Sequence, residues 1–359
     1  MNRPSKTRRP WGQGPLIQIM LSRLREFYRE PEAVFWAYGF PLIMTVALGI
    51  AFRNQTDQPI AVDVDNTQSA AAETVQETLE KAPRFQVRLK PLEECRIRLR
   101  MGRTDLVVLP STGADGGYAY WFDPARPESQ LARNSVDDAL QRAAGRKDPL
   151  ATQDKEMVEP GGRYIDFLVP GLVAIGLMAG GLWGIGFVTV DMRIRKLLKR
   201  LLATPMSKSN FLLGIMLSRL VFMIPEVIVL LIFSRFAFGV VIQGSIVAVA
   251  LLVLLGAFAF AGIGLLVASR AKTVEAVSGL MNLVMLPMWI LSGTFFSADR
   301  FPDVAQPFIK ALPLTQLLTA LRAVMLEGAT LTSQWANVAA LLAWGGISFL
   351  LALRLFRWQ

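Results

Sequence analysis

Six runs of apolar residues, each close to the length of a bilayer crossing, dominate this chain: about 33–52, 164–190, 211–233, 244–268, 276–296 and 335–353. A helix needs roughly 20 such residues to cross about 30 Å of hydrocarbon. No water reaches the backbone there, so each run must close its own hydrogen bonds as a helix. The expected fold class is an α-helical polytopic membrane protein with six transmembrane helices. At 53% hydrophobic residues, the composition would be unusual for a soluble chain. The first run does not read as a cleavable signal, because a long basic leader precedes it and no small-residue cleavage site follows.

The basic residues predict the orientation. Arg3, Lys6, Arg8, Arg9, Arg23, Arg25 and Arg29 crowd the leader. Arg193, Arg195, Lys196, Lys199, Arg200 and Lys208 follow the second run, Arg270 and Lys272 the fourth, and Arg354 and Arg357 the last. The short loops on the other side hold only Arg235, Arg300, Lys310 and Arg322. Both termini are expected in the cytoplasm of a multi-pass membrane protein. The loop 54–160 is long enough to be translocated whatever its charge. The net charge of +10 fits attraction to anionic lipid. It does not fit nucleic acid, since no basic face is interleaved with aromatics.

The expected parts follow. Residues 1–32 are a basic leader ending in an interfacial amphipathic helix, with Leu16, Ile17, Met20, Leu21, Leu24, Phe27 and Tyr28 on one face. Residues 33–53 form the first crossing. Residues 54–160 alternate strand patterns ("PIAVDVD", "FQVRL", "TDLVVLP", "GYAYWF") with helix patterns (69–81, 91–101, 128–144), which predicts a small extracytoplasmic α/β domain inserted between spans one and two. Residues 161–359 are a five-helix bundle carrying a cytoplasmic helix at 193–204 and, at 297–334, a re-entrant hairpin punctuated by Pro302, Pro307 and Pro313. Gly176, Gly180 and Gly184 stack in span two and predict close helix approach, within or between subunits.

Enzyme chemistry finds little support. There is no His, hence no common general base or metal ligand, and Cys95 has no partner for a disulfide. "DVDNT" resembles the start of a calcium loop but lacks the downstream Gly and Glu; a strand end with a helix cap is the better reading. No G-x-x-x-x-G-K-[ST] phosphate loop occurs. Catalytic, metal-binding and cofactor-binding residues are therefore expected to be absent.

The cytoplasmic segment is more telling. Leu197, Leu198, Leu201 and Leu202 recur on one face, Arg195, Lys199 and Arg200 flank it, and Thr204-Pro205 stops the helix. Such a face either contacts a cytoplasmic protein or rests on anionic lipid.

With "REPEAVFWAYGFPLIMTVALGIAF", "YIDFLVPGLVAIGLM", "LLKRLLATPMSKSNFLLG" and "MNLVMLPMWILSGTFFSADRFPDVAQPFIKALPLTQLLTALR" in this order, the chain resembles the permease subunits of type-2 ATP-binding-cassette exporters. The order of Pro287, "LSGTFF", Pro302, "LPLT" and Arg322 is the most specific part of the likeness. The basic lead "RIRKLLKR" departs from the acidic residues and Gly that many relatives carry there. The resemblance implies a homo- or heterodimer of permeases in the lipid bilayer with two separate ATPase subunits. ATP and magnesium would bind those partners. Leu197, Leu198, Arg200, Leu201, Leu202, Thr204 and Pro205 would couple hydrolysis to the spans, and Pro302, Pro313 and Arg322 would belong to the outer hairpin.

Arg219 and Glu226 lie on one face of span three. Ionisable groups at membrane depth signal function or a packing ion pair. Arg163, Asp166 and Asp191 read as interfacial anchors, and Met281, Met285, Met288 and Trp289 as a hydrophobic path or as packing. The leading expectation is export of a hydrophobic or amphipathic substrate. The alternatives are a non-transporting assembly or signalling protein that uses the ATPase to move its outer domain, and an ion-driven secondary transporter.

Overall fold

The computed structural model describes residues 21–22, 24–25, 27–51, 59–67, 69–111, 117–147, 149–150, 153, 161–197 and 208–356. Two compact units emerge, Met1–Arg53 with Val158–Gln359, and Asn54–Met157.

In the first unit, a helical turn Pro31–Val34 runs through a π-helical turn, Phe35–Gly39, into α1 (Phe40–Ala51). The inserted segment contributes α2 (Ser69–Glu80), α3 (Leu92–Arg100) and α4 (Pro127–Ala143). The bundle resumes with α5 (Tyr164–Gly181), a second π-helical turn (Leu182–Phe187) and α6 (Val188–Ile194), which together make one long span. Next come α7 (Lys208–Phe238), α8 (Ile246–Ala268), α9 (Val274–Leu291), α10 (Gln306–Ala311), α11 (Pro313–Glu327) and α12 (Trp335–Leu355).

Among the described residues, five helices are long and apolar enough to cross a membrane, while the first run is the shorter apolar helix Phe35–Ala51. The fifth expected run, now α9, stops as a helix at Leu291, short of the expected 296. Gly293 there takes φ 79°, a left-handed conformation that turns the chain out of the helix. In the hairpin, Asp303–Ala311 and Pro313–Glu327 meet at 86°. The bend falls on Leu312, which is extended (φ −66°, ψ 135°) because the following Pro disfavours helical geometry. Helix α11 buries Leu314, Leu317, Leu318, Leu321, Val324 and Met325 in the main core.

Within this chain, the close backbone approaches of α8 are made by small residues other than the predicted glycine stripe. A Cβ on Gly264 of α8 would stand 3.1 Å from the Leu182 Cα, and one on Gly262 would stand 2.7 Å from the Gly345 carbonyl oxygen of α12. Helix α8 thus packs backbone to backbone against span two and α12 through these other small residues.

Among the described residues, the second unit carries four strands, β1 (Ile60–Asp65), β2 (Phe85–Lys90), β3 (Leu106–Ser111) and β4 (Gly117–Trp121), in the order β2-β1-β3-β4. Strand β1 pairs parallel with β2 and β3, and β4 closes the sheet antiparallel to β3. Val62, Val64, Leu106 and Val108 point to one face and bury Val75, Leu79, Val136 and Leu140 of α2 and α4. Asp63, on the other face, pairs with Arg98 of α3 at 2.6 Å. Asp65 accepts hydrogen bonds from the amide and hydroxyl of Thr67, which makes "DVDNT" a strand end closed by a turn.

Candidate functional site

A cleft of about 940 Å³ opens within the first unit, lined by spans one, two and three with contributions from the leader and from α9. Each wall is a helical stripe. Span two supplies Gly176, Gly180, Trp183, Gly184, Phe187 and Asp191; span three supplies Ile215, Ser218, Arg219, Phe222 and Glu226. Span one offers Trp36, Phe40 and Met44. The surface is apolar and aromatic along its length, with charged groups at two levels and Glu30 of the leader besides.

The first level is Arg219 and Glu226. They stand two turns apart on α7, and their side chains reach along the helix to approach at 3.7 Å, Nη2 to Oε2. Both are largely buried, at 13% and 11% exposure. The glycines of span two make room for them. A Cβ on Gly176 would lie 2.9 Å from Glu226 Oε1, and one on Gly184 would lie 2.8 Å from Arg219 Nε. A Cβ on Gly180 would overlap the Arg219 guanidinium. The Gly176–Gly180–Gly184 stripe is therefore a trough for two charged side chains rather than a helix–helix seam. The second level is Asp191, which accepts from Arg195 one turn later at 2.9 Å.

The leader takes part, which sequence reasoning missed. Phe27 packs on Phe222 with ring centroids 4.5 Å apart, and Tyr38 donates from its hydroxyl to the Phe222 carbonyl at 3.4 Å. Phe27 had been expected on a membrane-facing stripe; its neighbour across the fold was not encoded locally. Leu16, Ile17 and Met20 of that stripe lie outside the described residues.

Other candidates sit elsewhere. Arg322 of α11 donates to the carbonyls of Gly293 (2.8 Å), Thr294 (3.3 Å) and Phe167 (3.4 Å). Pro313 opens α11 and is buried, and Pro302 precedes a short turn of 3-10 helix. Arg163 pairs with Asp166 and reaches the Phe238 carbonyl at 2.8 Å, so this expected anchor also caps the end of α7. Met281 and Met288 are buried in the main core, away from the cleft, whereas Trp289 lines it.

The cytoplasmic helix expected at 193–204 is interrupted near its start. Arg193 and Ile194 end span two, Arg195 caps it, and Lys196 takes φ 55° before Leu197. Arg193 donates to the carbonyls of Ala268, the last residue of α8, and of Ser269 and Ala271 just past it. Leu198, Arg200, Leu201, Leu202, Thr204 and Pro205 lie outside the described residues. Among the described residues, no His, Cys, Asp or Glu side chains gather in a group that would hold a metal ion.

The chain is similar to several known proteins. Residues 32–354 match the model of the family described as ABC-2 family transporter protein. ABC transporter G family member 20 of Dictyostelium discoideum is 28% identical over 60% of this chain and 30% of its own length. The inner membrane transport permease YhhJ of Escherichia coli is 33% identical over 33% of this chain and 32% of its own. The linearmycin resistance permease protein LnrN of Bacillus subtilis is 28% identical over 44% of this chain and 41% of its own. The matched stretches thus span less than half the length of these relatives. The family model, in contrast, runs through nearly every helix described above, including the three spans that line the cleft and the hairpin, and the chain therefore belongs to the ABC-2 family of transporter proteins as a multi-pass ABC transporter permease.

Proposed function

We propose that this permease is the membrane half of an ATP-driven exporter and that the cleft between spans one, two and three is its substrate path. The observation that carries this reading is the lining: a long aromatic and apolar wall interrupted by buried charges, suited to a molecule with an apolar body. The substrate leaves the cytoplasm or the inner leaflet. Two separate ATPase subunits bind ATP and magnesium and draw together on binding. The segment from Leu197 to Pro205 passes that motion to spans two and three. A second permease subunit completes the assembly, both termini are cytoplasmic, and the α/β domain is extracytoplasmic. The likeness to permeases supports the need for a partner ATPase, and the Lys and Arg asymmetry supports the orientation.

Everted membrane vesicles holding the permease and its ATPase should accumulate a fluorescent amphipathic probe when ATP is added. Right-side-out vesicles loaded with ATP should expel it. Absence of ATP-driven uptake in everted vesicles from a complex that hydrolyses ATP would overturn the export reading in favour of a non-transporting assembly. Leu198→Ala with Leu201→Ala should release the ATPase on gentle purification, since burying a Leu is worth about 1.5–3 kcal/mol. Retention of the ATPase with coupled hydrolysis would remove the coupling role of this segment.

A further inference from the structure

We infer that the Arg219–Glu226 pair is the cleft's polar contact for the transported molecule, and that this molecule carries a zwitterionic head on an apolar body. The inference rests on the cleft being the substrate path. Holding two charges at membrane depth is costly, and an apolar pair of similar volume would avoid that cost. Nor are the charges used up on each other. Their 3.7 Å approach is beyond hydrogen-bonding distance. Arg219 Nε and Glu226 Oε2 are buried and have no hydrogen-bond partner among the described residues. The pair is thus loose, and parting it gives up less than parting a closed bridge.

The sign of the ligand follows from what each choice would leave behind. An anion would engage Arg219 and strand Glu226, and a cation would do the reverse. Either outcome buries an unpaired charge, which is strongly unfavourable. A head with an anionic oxygen for Arg219 and a cationic or N–H group for Glu226 replaces one loose pair with two charge-assisted contacts. The glycine trough sets both side chains against span two. Trp36, Trp183 and Phe222 supply aromatic surface for the cationic end and for the apolar body.

The test uses the purified full-length permease in a neutral maltoside detergent. The probes are an alkylphosphocholine, an alkyltrimethylammonium and an alkyl phosphate of equal chain length, with brominated chains that quench tryptophan. The zwitterion should bind roughly tenfold or more tightly than either of the other two probes. Arg219→Gln should shift the preference to the cation, and Glu226→Gln should shift it to the anion. If the single variants do not fold, Arg219→Glu with Glu226→Arg keeps the pair and should keep the zwitterion first. Equal binding of the three probes by the unaltered protein overturns the inference, as does an unchanged ranking in the variants. No nucleotide or ATPase enters this assay. A permease with the expected ranking that fails to export in vesicles would overturn the export reading alone.

Discussion

Arg322 lies over the ring of Phe167, its guanidinium carbon 3.5 Å from the ring centroid, although the two residues stand 155 positions apart. The same guanidinium donates to Gly293 and Thr294, at the point where the chain leaves α9. One side chain of the hairpin thus fixes the start of span two and the turn after α9. Hydrogen bonds to charged groups are worth about 1.5–3 kcal/mol each. Arg322→Lys keeps the charge but loses the planar fork and the stacking. It should lower the thermal unfolding temperature nearly as far as Arg322→Gln does. A Lys variant as stable as the unaltered protein would show that charge alone matters there.

The glycine trough gives a matched pair of tests. Gly346 of α12 has no atom within 4 Å of a built Cβ, so Gly346→Ala should stabilise the helix by up to about 1 kcal/mol, from backbone entropy. Gly180→Ala carries the same helical gain, yet its methyl would collide with the Arg219 guanidinium and with Met223. It should destabilise the protein and displace the ion pair. Thermal unfolding of both variants decides the matter, and equal stabilisation in the two would mean that Arg219 does not rest in the trough.

Arg193 joins three parts of the bundle. It donates to the carbonyls at and just past the end of α8 and stacks 5.2 Å from the Phe356 ring at the end of α12. Positive charge at a helix C-terminus also favours the helix dipole. Arg193→Gln should raise amide hydrogen exchange through residues 269–274 by about tenfold, while exchange in the core of α8 stays unchanged. A uniform rise across the bundle would instead point to general destabilisation.

Cys95, the chain's one cysteine, is fully buried in the α/β unit, with its thiol set against the Lys90 carbonyl at 3.5 Å. Burial, helped by the nearby Asp63 carboxylate, pushes the thiol up to about 12 from 9.0. The protonated form is the one the fold holds. Its contribution to stability is therefore complete below pH 9 and is lost as pH rises from there toward about 12. A maleimide should leave the native protein unlabelled at neutral pH and label it fully once the domain is unfolded. Labelling of the native protein at the rate of an exposed thiol would contradict this burial.

Elements that depend on local pattern were legible in the sequence. The four strands of the α/β unit, its three helices and the positions of the long spans follow from alternation and run length, because each is decided within a few residues. What could not be read was pairing at a distance. The spacing of Gly176, Gly180 and Gly184 announces a smooth face, but nothing local says whether a backbone or an arginine will fill it. Arg219 and Glu226 were visible as unusual residues; that they meet each other depends on side-chain direction along α7. The roles of Arg193 and Arg322 as carbonyl clamps were hidden because their acceptors are backbone atoms, which every residue has. Phe27 reached the cleft, and Tyr38 the Phe222 carbonyl, for tertiary reasons that hydropathy does not encode.

Both cleft walls contributed by spans one and two contain a π-helical turn, Phe35–Gly39 and Leu182–Phe187. Such a turn accommodates one residue more than an α-helical register allows, so the stretches on either side of it are out of phase by about 100°. Each wall is therefore two half-stripes joined by a rotational offset, and each half could drift under selection without disturbing the other's alignment. Wound as an unbroken α-helix, the same residues would carry Asp191 and Arg193 about 100° around the axis, Asp191 from the cleft and Arg193 from the carbonyls it now meets, whereas a single-residue deletion inside Leu182–Phe187 would close the turn and leave both in place. The length of that turn, more than the identity of any residue in it, sets which charges face the cleft and which clamp the bundle.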